Sequence, residues 1–390
     1  MGYRPPGEFP ELRAWRTDVD DMSSLDVGAI IDSLSDGVYV CDRNRRITYW
    51  SKSAERITGW TAEDVVGRRC LDDILCHVDK DGHPLCGEEF CPLHRAIITA
   101  TGSRGSLLVY ARGKDGRRIP MEVSVAPIRD ASGEVIGGVE AFRDASAVVQ
   151  DLERAKAIQK LALHDDVPED ARVTFTTHYV PHGIVGGDYY AIRKLDEDRY
   201  GLIVADVTGH GVAAALYTMH LSSLWERHHR LLASPVEFTA RMNEELVRVV
   251  KSDSSFATAV CGVVDLAGGE FRFAGAGGPP VLLVRPAGTF ERIENPGLPL
   301  AIMEGADYDE VRAAISPGDR LLLFSDGAIE IQNAAEEMLG IDGLTDLLKT
   351  QGYPADHIRM DALEEDLLKY SNAIRLEDDL TLLEVRLEGP

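Results

Sequence analysis

The stretch LLLFSDGAIE, from Leu321 to Glu330, sets four bulky apolar residues against an abrupt polar stop at Ser325-Asp326-Gly327. A short apolar run closed by turn residues reads as a buried strand. Its tip carries a carboxylate, and the glycine lets the chain turn. One such acid is ordinary turn chemistry, because Asp readily bonds its local backbone. Other strands that end the same way would give it another meaning.

They do. GLIVADVTGHG, Gly201 to Gly211, repeats the pattern with Asp206 and the glycines Gly209 and Gly211. IVGGDYY places Asp188 directly after two glycines, and LEDDLTLLEVRL sets Asp378 and Asp379 just before an apolar strand. If these strands are neighbours in one sheet, their acids converge on one rim. Converging carboxylates repel unless a cation lies between them. Oxygen-only donors suit Mg²⁺ or Mn²⁺, and two such ions ~3.5–4 Å apart acidify a shared water and clamp a phosphoryl group.

Composition points the same way. The 390 residues carry a formal net charge of -24, with 44% hydrophobic and 27% charged residues. That is a globular composition, and the length suggests two domains. No basic stripe offers a footprint for nucleic acid. An acidic chain that handles phosphate needs its positive charge from elsewhere, and bound metal supplies it. No apolar run approaches the ~20 residues of a membrane span. The opening MGYRPPGEFPELRAW lacks a signal-peptide core, so a cytoplasmic location and no membrane partner are expected.

Four segments are expected: a tail over 1–24, an α/β unit over 25–144, a helix over 145–164 and a larger unit over 165–390. In the second segment, hairpin signals KDGR and DASGE separate three strand-like runs, predicting an open antiparallel sheet with helices on one side. Between Ala145 and His164, Val148, Leu152, Ala155, Ile158 and Ala162 recur at helical spacing without Gly or Pro. That helix is either docked on a domain or paired in a short coiled coil between two chains. The last segment mixes many strands with helices in GVAAALYTMHLSSLWERHHRLL and SPVEFTARMNEELVRVV, which predicts an α+β layered sandwich.

The ordered set VGGDYY, VADVTGHGVAAAL, FATAVCGVVDL, FAGAGGPPVLLV, GLPLAI, LLLFSDGAIE and DDLTLL resembles the bacterial, sporulation-type branch of the metal-dependent (type 2C) serine/threonine protein phosphatases. The resemblance covers Val173 to about Leu387. It implies an α-β-β-α sandwich, two Mn²⁺ or Mg²⁺ ions and hydrolysis of phosphoserine or phosphothreonine on a protein. Carried over, Asp206 would bridge both metals and the Val207 carbonyl would join one. Asp326 and Asp378 would hold the other, with Asp379 the alternative register, and Asp188 would orient water or serve as an outer ligand. The phosphate-binding arginine of eukaryotic members has no clear counterpart before Asp188. His210 reads as loop filler or as a substrate contact.

Residues Leu25 to Asp144 resemble a PAS domain, through SDGVYVCDRNRRITYWSKSAERITGWTAEDVVGRRC and KDGRRIPMEVSVAPIRDASGEVIGGVEAFRD. Within it, CLDDILCHVDKDGHPLCGEEFCPLH gathers Cys70, Cys76, Cys86 and Cys91, with His77, His83 and His94 nearby. In a reducing compartment such a cluster reads as an iron–sulfur or Zn²⁺ site, or as a thiol–disulfide sensor, before it reads as a structural disulfide framework. Simple packing and, at Cys70, flavin photochemistry are further readings.

Together these features predict a sensor-regulated phosphatase. It would be a homodimer acting on a phosphorylated partner protein, of which an anti-sigma-factor antagonist is the type implied by the resemblance. Two other readings compete: a binding module with a non-catalytic phosphatase-like domain, and a nucleotide cyclase suggested by GGDYY alone. The cyclase reading leaves DVTGHG, SDG and DDLT unexplained.

Overall fold

A computed structural model describes residues 27–87, 90–103, 105–163, 167–209, 211–249, 255–373 and 376–388. The chain divides into two compact units that meet between Val149 and Gln150.

The first unit comprises α1 Val27–Asp32, β1 Gly37–Asp42, β2 Ile47–Trp50, α2 Lys52–Thr58, α3 Ala62–Val65, α4 Pro92–Thr99, β3 Leu107–Arg112, β4 Arg118–Arg129 and β5 Val135–Asp144. Its antiparallel sheet runs β2-β1-β5-β4-β3. Local chemistry sets the short helices. Ser51 caps α2 by accepting from Ala54 N–H, and Thr61 with Asp64 forms a capping box at α3. Cys91 is the N-cap of α4, with Pro92 opening the helix. One face of the sheet is apolar, with Tyr39, Met121, Val123 and Phe142 buried. Glu140 of β5 is buried on it too.

α5 Ser146–Ala162 starts in the first unit and continues into the second. It matches the helix expected over 145–164, except that His164 lies outside the described residues. The expected apolar stripe is only partly covered: Val148 and Ile158 are exposed, and Gln159 and Ala162 are the buried positions.

The second unit continues with β6 Val173–Val180, β7 Asp188–Lys194, β8 Arg199–Val207, α6 Val212–His228, α7 Pro235–Val249, β9 Ala257–Asp265, β10 Glu270–Ala276, β11 Val281–Val284, β12 Phe290–Ile293, β13 Glu310–Ala314, β14 Arg320–Phe324, α8 Gly340–Thr350, α9 Met360–Ser371 and β15 Leu380–Leu387. The strands form two five-stranded antiparallel sheets, β13-β10-β9-β8-β7 and β12-β11-β14-β15-β6.

The opening stretch shows how the layers stack. Leu321 and Leu323 join the core shared with the other sheet, while Leu322 and Phe324 pack with Leu344 and Leu348 of α8 and Leu363 and Leu367 of α9. This is period-2 alternation in a strand buried on both faces. Trp225 of α6 and Phe238 and Met242 of α7 cover the other sheet. The order is therefore helices, sheet, sheet, helices. α8 and α9 add an outer pair to the two helices read directly from the sequence; Leu344, Leu348, Leu363 and Leu367 are buried at helical spacing.

Within that outer layer, buried Arg320 and Glu384 pair at 2.9 Å, and Tyr353 Oη donates to the same carboxylate oxygen at 3.0 Å.

Candidate metal centre

Asp188 opens β7 and lies directly opposite Asp206 of β8 in the antiparallel register. Val207 ends β8, and its N–H donates to Gly187 O at 3.1 Å. Gly209 and Gly211 follow with φ of 85°, a backbone region that favours glycine, and release the chain into α6. On the second sheet, Phe324 at the end of β14 pairs with Leu382 of β15. Asp326 lies in a one-turn 3₁₀ segment just past β14, and Asp378 lies just before β15. Because β14 and β15 are antiparallel, the exit of one adjoins the entry of the other. Each sheet thus contributes two of the four expected acids.

Asp379 ties the two sheets together. Its Oδ1 accepts from His182 N–H at 2.6 Å and its Oδ2 accepts from Gly187 N–H. Ser325 Oγ donates to the Asp379 carbonyl at 3.3 Å and accepts from Thr381 N–H at 2.9 Å. The backbone packs closely here. A Cβ on Gly187 would stand 2.9 Å from Val207 O, and one on Gly186 would collide with Tyr179 Oη and the Asp379 carboxylate. Gln159 of α5 reaches the same loop. Its Nε2 donates to Gly186 O at 2.7 Å and to Thr218 Oγ1 at 2.8 Å, and its Oε1 accepts from Gly186 N–H at 3.2 Å.

Asp188 is fully buried, and neither carboxyl oxygen has a hydrogen-bond partner. Burial raises its pKa, the Asp379 charge adds to this, and the Thr381 and Ser325 hydroxyls oppose it. Asp206 is also raised, first by burial and then by the charges of Asp188, Asp326 and Asp378. Burial and the charge of Asp378 likewise raise Asp326. Asp378 itself is exposed. Among the described residues, no Lys or Arg pairs with any of these four acids. Orphaned buried oxygens and mutually repelling carboxylates suit a cation-binding site. An all-oxygen donor set suits Mn²⁺ or Mg²⁺. The acids are spread more widely than a single-ion cage: among the described residues only Asp79, Asp81 and His83, in the first unit, bring three ligand atoms within 4.8 Å of one another.

The two acids of DDLT stand in different surroundings. Asp379 is buried and spent on backbone N–H groups, whereas Asp378 faces outward within the electrostatic field of Asp206 and Asp326. His210 lies outside the described residues. Gln159 was not singled out by sequence; a buried polar residue within the stripe of α5 was the available signal.

In the first unit, the thiols expected to hold a cluster or metal, Cys70, Cys76, Cys86 and Cys91, stand apart from one another. No three of their sulfurs lie within 4.8 Å of one another, and all four thiols are free. Cys76, at φ 43°, sits beside Asp73 and Arg112, whereas Cys70 and Cys91 are buried.

Comparison with known proteins agrees with this geometry. Residues 196–388 match the family described as Stage II sporulation protein E (SpoIIE), and residues 25–145 match the PAS fold. The phosphoserine phosphatase RsbP of Bacillus subtilis is 30% identical over 184 residues, 46% of this chain and 45% of RsbP. The phosphoserine phosphatase RsbU of the same organism is 26% identical over 246 residues, 61% of this chain and 70% of RsbU. This chain thus spans less than half the length of RsbP. The SiaA-PP2C domain of Pseudomonas aeruginosa superposes with a TM-score of 0.54 at 22% identity, over 62% of this chain and 98% of that domain. Residues 196–388 are therefore similar to the SpoIIE family and share the fold of a PP2C domain, and residues 25–145, ahead of them, match the PAS fold.

Proposed function

We propose that this chain is a metal-dependent phosphatase that removes phosphate from serine or threonine of a partner protein, under control of its PAS domain. The observation that carries this reading is the meeting of two acids from each sheet, with both oxygens of buried Asp188 unpartnered. Two Mn²⁺ or Mg²⁺ ions held there would supply a water acidic enough to attack phosphorus, and positive charge for the phosphoryl oxygens.

The protein's share of the work is placement. Asp206, flanked by the other acids, is the residue for a bridging role, with the Val207 carbonyl beside it. Asp326 and Asp378 hold the second position. Asp188, fixed at the start of β7, orients the attacking water or serves as an outer ligand. Asp379 does not ligate in this reading; it locks the Gly187 loop, and hence Asp188, against the second sheet.

The finer parts of the reading follow from the same features. RsbP and RsbU are named phosphoserine phosphatases, which supports a phosphorylated protein as substrate; an anti-sigma-factor antagonist is the type proposed. The exposed Val148, Ile158 and Leu161 on α5 support a homodimer paired along that helix. No helix among the described residues is long and apolar enough to cross a membrane, in keeping with a cytoplasmic protein. Residues 25–144 are read as the sensor, whose cysteine segment responds to redox state or holds Zn²⁺ or an iron–sulfur cluster. Residues 145–164 are read as the transmitting helix and 165–390 as the enzyme.

The test is hydrolysis of an aryl phosphate and of a phosphoserine protein by the full chain, with and without Mn²⁺. Metal-dependent release of phosphate supports the reading. A folded, metal-loaded chain that releases none would leave the non-catalytic alternative.

A further inference from the structure

The core of the first unit holds a group of polar side chains that phosphatase chemistry does not use. Glu140 of β5 lies opposite Tyr39 of β1 and Val125 of β4, and is 1% exposed. Its Oε2 accepts from Tyr39 Oη at 3.2 Å, but its Oε1 has no partner. His77, 4% exposed, places Nε2 3.6 Å from that Oε1, and this nitrogen is also unpartnered. The gap is too long for a hydrogen bond. Burial pushes the Glu140 carboxyl up and the His77 imidazole down.

Cysteines lie nearby. The His77 backbone N–H donates to Cys86 Sγ at 3.1 Å. Cys70 and Cys91 are buried, and Cys70 lies in the fields of Glu140, Cys91 and Cys86. Two buried lone-pair donors face each other at a separation that matches the edge of a ligand tetrahedron, roughly 3.3–3.8 Å for bonds of about 2.0–2.3 Å. Imidazole and thiolate donors select the zinc class over Mg²⁺ or Ca²⁺.

We propose that His77 and Glu140, with the Cys86 thiol and one of the buried thiols of Cys70 and Cys91, form a four-coordinate site for one transition-metal ion of the zinc class in the core of the first unit. Cys76 is outside it. The thiols stand farther off than the His77–Glu140 pair, because no third ligand atom of this group completes a set within 4.8 Å. Loading therefore draws the segment from Cys70 to Cys91 toward β5. Each thiol that binds gives its proton to solvent as its sulfur–metal bond forms, and no electron is transferred. The turn of Asp79, Asp81 and His83 is a separate matter: Asp79 Oδ1 accepts from the N–H groups of Asp81 and His83, and Asp79 Oδ2 lies 3.0 Å from His83 Nδ1. The proposed site is independent of whether the second unit hydrolyses phosphate.

The test is titration of the reduced full-length chain with Co²⁺ under anaerobic conditions. The expected result is one thiolate-ligated ion per chain, with intense thiolate-to-cobalt charge transfer and tetrahedral ligand-field bands, displaced by Zn²⁺. An oxygen-only centre in the second unit gives no thiolate band, so the two sites are told apart in one sample. Cys86→Ser should lose or shift the band. Glu140→Gln should weaken binding about 10–100-fold, and Cys76→Ser should leave the spectrum intact. Absence of a thiolate band in the wild-type chain would overturn the proposal, as would full intensity in Cys86→Ser. Readily formed disulfides in a chain that takes up no metal when reduced would also overturn it. Mn²⁺-dependent phosphatase activity, read on the same preparation, reports separately on the second unit.

Discussion

The side-chain amide of Gln159 holds both backbone polar groups of Gly186, donating to its carbonyl at 2.7 Å and accepting its N–H at 3.2 Å. The next residue but one is Asp188, so the helix leaving the PAS domain is bonded to the loop that aims a candidate metal-site acid. Gln159→Leu keeps the bulk and removes both bonds. Leaving two buried backbone groups unpaired costs ~1–3 kcal/mol each. The expected outcome is a lower melting temperature of the second unit and Mn²⁺-dependent turnover that no longer follows the state of the PAS domain. Thermal melts and steady-state kinetics on the full chain check it.

Asp206→Asn and Asp326→Asn should abolish metal-dependent turnover without unfolding the chain. Both acids are raised by burial and by their neighbours' charges, so removing one relieves repulsion in the metal-free protein. Its melting temperature in chelator should hold or rise. Retained turnover in either variant would contradict the assignment.

The DDLT pair should split cleanly. Asp378 is exposed, so Asp378→Ala should weaken Mn²⁺ binding with little change in stability. Asp379→Ala should instead destabilise the fold by ~1–3 kcal/mol, because it orphans the N–H groups of His182 and Gly187. Calorimetric Mn²⁺ titration beside a denaturant melt distinguishes them.

The pH dependence should reverse sign with metal. The raised pKa values of Asp188, Asp206 and Asp326 mean that the empty folded site prefers its protons. Their contribution is full below the ordinary carboxylate range and is lost as pH rises through the raised values. In chelator, stability of the second unit should therefore fall as pH rises from about 4 to about 9. Mn²⁺ competes with those protons, so its affinity should rise by up to about tenfold per pH unit for each proton released. Melting temperatures across pH, with and without Mn²⁺, test both halves.

The outer layer offers a control remote from catalysis. Glu384→Ala removes the partner of buried Arg320 and the acceptor of Tyr353 Oη. Stranding a buried charge costs ~3–5 kcal/mol. A denaturant midpoint close to wild type would show that Arg320 finds another partner.

Much of this was legible because strands write their surroundings plainly. The four apolar residues of LLLF read as a buried strand, and the polar stop marked its end just before Asp326. The same logic placed Asp206. Asp378 and Asp379 were harder, since adjacent acids before a strand differ only in which face each meets. α8 and α9 were not picked out from local pattern, where Gly340, Gly343 and a short span blur the period. Gln159, Glu140 and His77 escaped because their importance lies in partners far away in sequence. Glu140 did leave a trace: it occupies the same strand phase as Gly138 and buried Phe142.

The acids come in pairs from opposite layers, held together by the clasp of Asp379 on the Gly187 loop. The gap across them is therefore a caliper on how the two sheets lie over each other. In the proposed enzyme, a slip of a fraction of an ångström, too small to disturb the hydrophobic filling, would change the spacing of the acids read as its metal ligands.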